Sequence, residues 1–251
     1  MGYDRKELKR FGKSCFAFNY WACVLVAATL VVIVTLLVFG AGIFGTAFLN
    51  NLEEKYDLDI PYTYSAASEE EPSGADGAVL KEFMKFFVAI SLALTVIRVL
   101  FWNPLRVGAG RFFVENGRGL SSGAKDMLWA FSSRYGRTVW TCLLRDLFLL
   151  LWSLLIIPGI VKSYSYRMVP YILAEDGSMP ALEAITESRR MMNGRKMDAF
   201  LFDLSFAGWF ALNAVTMGIA GILYVHPYFY SSQAAFYEFV KAEKGGSSLS
   251  R

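Results

Sequence analysis

Between Lys13 and Glu53 no residue carries a formal charge, and the run from Trp21 to Leu49 is almost wholly apolar. A helix needs about 20 such residues to cross a bilayer core, so the pattern predicts a first membrane span over 16–49. The apolar part of a secretory signal is only about 7–15 residues long, and the greater length here predicts an uncleaved anchor. Gly40, Gly42 and Gly45 near its far end suit close approach of another helix. Polar positions then dominate 50–82, where Pro61, Pro72, Ser73, Gly74 and Gly77 predict an irregular loop. A second apolar run predicts a span over 83–102. It should stop at Asn103-Pro104, because the residue before a proline is pushed out of helical geometry.

Beyond that point the periodicity changes. Ala124, Met127, Leu128, Phe131 and Tyr135 recur at helical spacing among basic residues, predicting an amphipathic helix on the inner membrane surface. A third span is expected over 138–157, with a hairpin turn at Pro158-Gly159. A fourth follows over 160–174, interrupted by Lys162, Arg167 and Pro170. Ser178 then reads as the N-cap of a second amphipathic helix, with Pro180 in its first turn. A fifth span over 199–223 should turn at Tyr224-Val225-His226-Pro227. A short sixth, over 228–240, is tilted, interfacial or re-entrant if it does not cross.

Charge gives this pattern an orientation. Arg5, Lys6, Lys9, Arg10 and Lys13 precede the first span, whereas Glu53, Glu54, Asp57, Asp59, Glu69, Glu70, Glu71 and Asp76 follow it. Basic residues near span ends mark the cytoplasmic side. The expected organisation is therefore a cytoplasmic N-terminus (1–15), a first span (16–49), an acidic extracytoplasmic loop (50–82), a membrane domain (83–240) and a cytoplasmic tail (241–251). Counting the fourth segment as a span returns Arg189, Arg190, Arg195 and Lys196 to the cytoplasm. Composition agrees with a membrane chain: 55% of the 251 residues are hydrophobic and 19% charged, against roughly a quarter charged in soluble domains. The net charge of +3 argues against a nucleic-acid partner. Cys15, Cys23 and Cys142 sit in or beside apolar segments at unrelated spacings, which reads as inert thiols.

An internal repeat is suggested by two matching spacings, Gly119 to Gly136 and Gly177 to Gly194. Each precedes a Gly-basic step and an apolar span with an acid in its early turns, Asp146 or Asp203. The expectation is a duplicated unit of surface helix plus hairpin. Charges inside membrane segments raise a functional question by default. The candidates form an intramembrane polar cluster of Arg145, Asp146, Lys162, Arg167 and Asp203, with Glu238 nearby. Arg145 and Asp146, as neighbours, should not face each other on a helix, whereas Asp203 is expected to pair with Lys162 or Arg167. No catalytic signature is found: the single histidine, His226, builds no multi-histidine zinc site, and zincin, nucleophile-elbow and P-loop motifs are missing. No catalytic, cofactor or metal residue is assigned.

From Ile157 the chain reads Ile157-Pro158-Gly159-Ile160-Val161-Lys162-Ser163-Tyr164-Ser165-Tyr166, then Pro170-Tyr171-Ile172-Leu173-Ala174. Ala184-Ile185, Ser188, Met191-Met192-Asn193-Gly194, Leu204-Ser205-Phe206, Gly208-Trp209, Thr216-Met217-Gly218-Ile219, Pro227-Tyr228 and Ala234-Ala235-Phe236-Tyr237 continue the pattern. Together these resemble the bacterial integral-membrane family catalogued as domain of unknown function 975, over roughly residues 80–240. The family is distantly similar to the membrane domain of some glycerophosphodiester phosphodiesterases. The resemblance implies a multi-span protein of the cell membrane and carries no activity across. The expected fold is an all-α, polytopic transmembrane bundle of about six spans, with two amphipathic cytoplasmic surface helices and both termini inside. The expected role is a non-catalytic scaffold, accessory subunit or lipid-interacting bundle. Its partners would be membrane lipids and a membrane protein or a second copy, with no cofactor. A small transporter or channel at the repeat interface, and a membrane-embedded lipid or cell-envelope enzyme, are the rival readings.

Overall fold

The computed structural model describes residues 4–56, 74–120, 122–132 and 134–248, and every regular element among them is helical. The chain divides into two compact units, one holding 32–98 and the other 1–31 with 99–251.

The smaller unit contains most of α2 (Tyr20–Tyr56) and α3 (Gly74–Ile97). Phe48 stacks on Phe86 with ring centroids 4.0 Å apart, and Lys55 Nζ lies 3.7 Å from Glu82 Oε1. Both helices reach into the segment that the polar pattern assigns to a loop. Glu69, Glu70, Glu71 and the loop prolines Pro61 and Pro72 lie outside the described residues. Bulky side chains such as Leu36, Phe39, Phe44, Phe87 and Leu92 are exposed. A Cβ added at Gly40, Gly42 or Gly45 would meet nothing within 4 Å, so among the described residues no helix uses the approach that their spacing offers.

The larger unit is built around α4 (Asn103–Gly117), which is buried along most of its length. A 3-10 segment, Ala124–Phe131, replaces the predicted amphipathic α-helix. The Asp126 carboxylate accepts from the Gly123 N–H at 2.7 Å at its start. It presses so closely on α4 that a Cβ on Gly108 would lie 1.8 Å from the Met127 carbonyl oxygen. Two helical hairpins follow. The first joins α5 (Tyr135–Ser153) to α6 (Ile156–Ser165) and α7 (Val169–Glu175). After α8 (Ala181–Met191), the second joins α9 (Lys196–Leu204) and α10 (Ala207–Val215) to α11 (His226–Ser248). Phe112, Phe202, Phe206, Phe236, Met168, Leu173 and Met192 are among the fully buried side chains of this unit.

Several boundaries differ from the pattern, each for a local reason. Asn103-Pro104 does not end its helix: the helical run continues from Gly77 to Gly117. Pro104 has no N–H to return to the Leu100 carbonyl four residues earlier. A π-helical turn, Arg98–Trp102, absorbs the mismatch, and the Tyr135 hydroxyl donates to the Leu100 carbonyl at 2.8 Å. The same device recurs at His226-Pro227, which lies inside a helix rather than in an outer turn. There a π-helical turn spans Gly221–Val225, and the Tyr20 hydroxyl donates to the Leu223 carbonyl at 3.1 Å. The second hairpin instead turns at Met217 and Gly218, both with positive φ (51° and 93°).

The first hairpin turns at Leu154-Leu155, ahead of Pro158-Gly159. Pro158 falls in the first turn of α6, where its missing N–H costs nothing. Gly159 is needed there because a Cβ would stand 3.0 Å from the Ser153 Cα of the opposite arm. The fourth predicted span is two short helices, since Pro170 cannot donate to the Tyr166 carbonyl. Ser188 of α8 bridges that break, donating to the Ser165 carbonyl at 2.8 Å and accepting from the Met168 N–H at 3.2 Å. Ser178 does not cap α8. Pro180 takes that place, and Ser178 turns back onto Asp176. The glycines behind the suggested repeat do not occupy equivalent turns: Gly119 and Gly194 have positive φ, whereas Gly136 is helical.

Two helical stretches, Tyr20–Lys55 and Gly77–Gly117, are long and apolar enough to cross a membrane. The breaks just described divide the predicted fourth and fifth spans into shorter helices; α5 carries three charged residues along its length, and the predicted sixth span lies whole within the more polar α11.

Candidate functional site

The five charged candidates do not form one cluster. Arg145 and Asp146 meet despite being neighbours on α5, because the long guanidinium stem curls back onto the shorter carboxylate. Arg145 Nε and Nη2 donate to Asp146 Oδ1 at 2.9 and 2.7 Å. Asn103, at the head of α4, closes the group: its amide NH₂ donates to Asp146 Oδ2 at 2.9 Å, and its carbonyl oxygen accepts from Arg145 at 3.3 Å. Asn103 and Arg145 are both buried, so the triad satisfies a charge that would otherwise be costly there.

The second group is a pair. Arg167, in the break between α6 and α7, makes a fork onto Asp203 of α9, with two N–H···O bonds of 2.7 Å. This two-pronged geometry is the strong form of an ion pair. The break is what puts Arg167 within reach, and the expected partner of Asp203 is found. Lys162 stands apart, with its ammonium 4.4 Å from the centre of the Trp152 ring across the first hairpin.

A third charged group was not singled out from the pattern. Glu175, the last residue of α7, accepts from Tyr237 Oη and Lys241 Nζ, both at 2.6 Å, and from Arg118. Arg118 also donates to Glu238 at 2.6 and 3.0 Å. Burial alone would raise the Glu175 pKa, but the hydrogen bonds from Lys241, Tyr237 and Arg118 outweigh it and hold the carboxyl below its ordinary value. Nearby, Arg195 binds Glu243 and Asp198. The hydrogen bond from Arg195 is the main reason that Glu243 is also held low. Glu238 is the only member that the sequence marks. The rest look like ordinary surface charges until the ends of α4 and α7 meet the C-terminal half of α11.

The Lys9 ammonium on α1 (Arg5–Phe18) docks at the break between α9 and α10. It donates to the Ser205 carbonyl at 3.1 Å and lies 4.1 Å from the centre of the Phe206 ring. The three cysteines are free and buried. Among the described residues no three His, Cys, Asp or Glu side chains stand together as metal ligands. Arg145, Arg167, Glu175 and Glu243 are each matched by an opposite charge within the protein.

These features define an all-α protein with two helices apolar enough to cross a membrane and a charged, internally paired helical unit. Residues 154–244 match the model of the family described as protein of unknown function (DUF975), which upholds the resemblance over a shorter stretch than the pattern suggested. No curated protein and no solved structure matches the chain.

Proposed function

We propose that the chain is a non-catalytic, multi-pass protein of the cell membrane, with both termini cytoplasmic, acting as a lipid-interacting scaffold. The observation that carries this reading is the uncovered state of its most apolar helices. Only 28% of the apolar window in Tyr20–Lys55, and 0% of that in Gly77–Gly117, is buried inside the protein. The core helix of a soluble protein would be mostly covered, and exposed apolar surface on this scale calls for a lipid or protein partner.

The hairpins support the same reading. Their turns carry Leu154, Ile156 and Ile157 in one case, and Val215, Met217 and Ile219 in the other, all strongly exposed. Arg137 and Arg195 stand at the starts of α5 and α9, at the far end of each arm from its turn, as basic residues on the cytoplasmic side would. Alkaline carbonate washing of membranes from expressing cells tests the proposal. The protein should stay with the pellet, and quantitative release into the supernatant would overturn membrane residence. Native mass spectrometry of the detergent-purified chain tests the lipid part, which falls if no phospholipid adduct is seen.

A further inference from the structure

Arg106 is the one arginine of α4 that the described residues leave without a partner. Arg111 pairs with Glu115 at 2.8 Å, whereas Arg106 has no hydrogen bond or ion pair to any described residue. It stands between Leu105 and Val107, which are both buried, while its own side chain is exposed and borders a cavity of about 30 Å³. Leu30, Ala109, Phe113 and Pro170 give that cavity apolar walls, and Tyr171, Tyr230 and Gln233 line the rest.

Among these lining residues Arg106 alone is charged. Tyr171 Oη donates to Gln233 Oε1 at 3.3 Å, which occupies the amide oxygen and leaves the amide NH₂ without a partner among the described residues. The Tyr230 hydroxyl likewise has none. No carboxylate lines the space, and the charged side chain closest in effect to Arg106 is Arg145, of the same sign and already matched by Asp146. A cation beside an amide N–H and a phenol O–H, with no carboxylate in the lining, is a site that an anion would complete. The space admits one or two oxygen atoms, since a cavity needs about 10–15 Å³ on this measure to hold a single water. An anion would therefore enter it by one edge, with the rest of the group outside.

We propose that Arg106, Tyr230 and Gln233 form a binding site for a phosphate-type oxyanion, held by the Arg106 guanidinium and completed by the two neutral donors. This deepens the lipid-interacting reading above and rests on it for one of two sources, the phosphate of an anionic phospholipid; the other is free phosphate. The fit is chemical: a planar guanidinium takes two oxygens of a phosphate side by side.

The test uses the full chain in detergent and in nanodiscs, reading the thermal midpoint as inorganic phosphate is titrated or as phosphatidylcholine is replaced by phosphatidylglycerol. The wild-type midpoint should rise. Arg106→Gln should weaken the response by at least about tenfold, the scale of one charge-assisted contact. Arg190→Gln, a surface change outside the site, should leave it intact. A rise with phosphatidylglycerol alone assigns the lipid, and a rise with inorganic phosphate assigns the free anion. No rise with either probe, or an undiminished rise in Arg106→Gln, overturns the proposal. Should Arg106→Gln fail to fold, Tyr230→Phe and Gln233→Leu take its place; weaker binding in either supports the site, and unchanged binding in both refutes it. Release by carbonate would remove the membrane reading while leaving the inorganic-phosphate arm to decide the site.

Discussion

At the scale of single residues, the geometry depends on how far a side chain reaches. Arg145 reaches Asp146 although their Cα positions are adjacent, because its stem is long enough to double back. Spacing rules for helix faces apply to side chains projecting outward and miss that case. Arg167 and Asp203 are the opposite example: 36 positions apart, they meet at two bonds of 2.7 Å, and opposite charge in two apolar segments was enough to suggest it. With side chains 14% and 31% exposed, the pair lies between the surface and buried cases. Arg167→Asp or Asp203→Arg alone should destabilise by about 1–3 kcal/mol. Exchanging the two charges together should recover a good part of the loss. Thermal midpoints of the purified variants would show it, and a double swap no better than the worse single change would rule the pair out as a stabilising contact. Asn103 was invisible in the pattern because an uncharged residue before a proline reads as a helix stop.

At the scale of elements, the recurring theme is a helix interrupted by proline and repaired from elsewhere. Inside an apolar surrounding each orphaned carbonyl needs a donor. Tyr135 serves Leu100, Tyr20 serves Leu223 and Ser188 serves both sides of the break before α7. Tyr135→Phe removes only the donor, so it should cost about 1–3 kcal/mol, the penalty of an acceptor left unmet. Pro104→Ala restores an N–H four residues beyond Leu100, and the Pro104→Ala, Tyr135→Phe double variant should therefore lose less than Tyr135→Phe alone. Equal losses in a chemical unfolding titration would show that the hydroxyl is not repairing the proline. The prolines themselves are plain in the sequence. The repairing residues are not, because they lie 35 and 203 positions from the carbonyls they serve.

At the scale of the whole molecule, carboxylates fasten the C-terminal half of α11 to its neighbours. Glu175 and Glu243 are both held below their ordinary value of 4.5. Their ionised forms are favoured by folding, so their contribution is fully present above about pH 4.5. It is lost as the pH falls through the lower folded values. The thermal midpoint should be level from pH 7 to about pH 5 and decline below that. A Glu175→Gln, Glu243→Gln double variant should start lower at neutral pH and decline less on acidification. Parallel curves for the two proteins would show that these carboxylates do not govern the acid response.

Read alone, the sequence shows that this chain is helical, that its first two apolar runs are long enough to cross a bilayer and which part resembles a known family. Those properties follow from run length, periodicity and local motifs, which need no knowledge of the fold. The four further spans it predicts are not among the described helices long and apolar enough to cross. Tertiary structure alone decided where helices stop, continue or break. A proline ends a helix only if nothing else supplies the missing hydrogen bond, and the supplier comes from a remote segment. The same holds for charge. The chain shows how many arginines lie among apolar residues, but only packing shows that Arg145 and Arg167 are matched and that Arg106 is not.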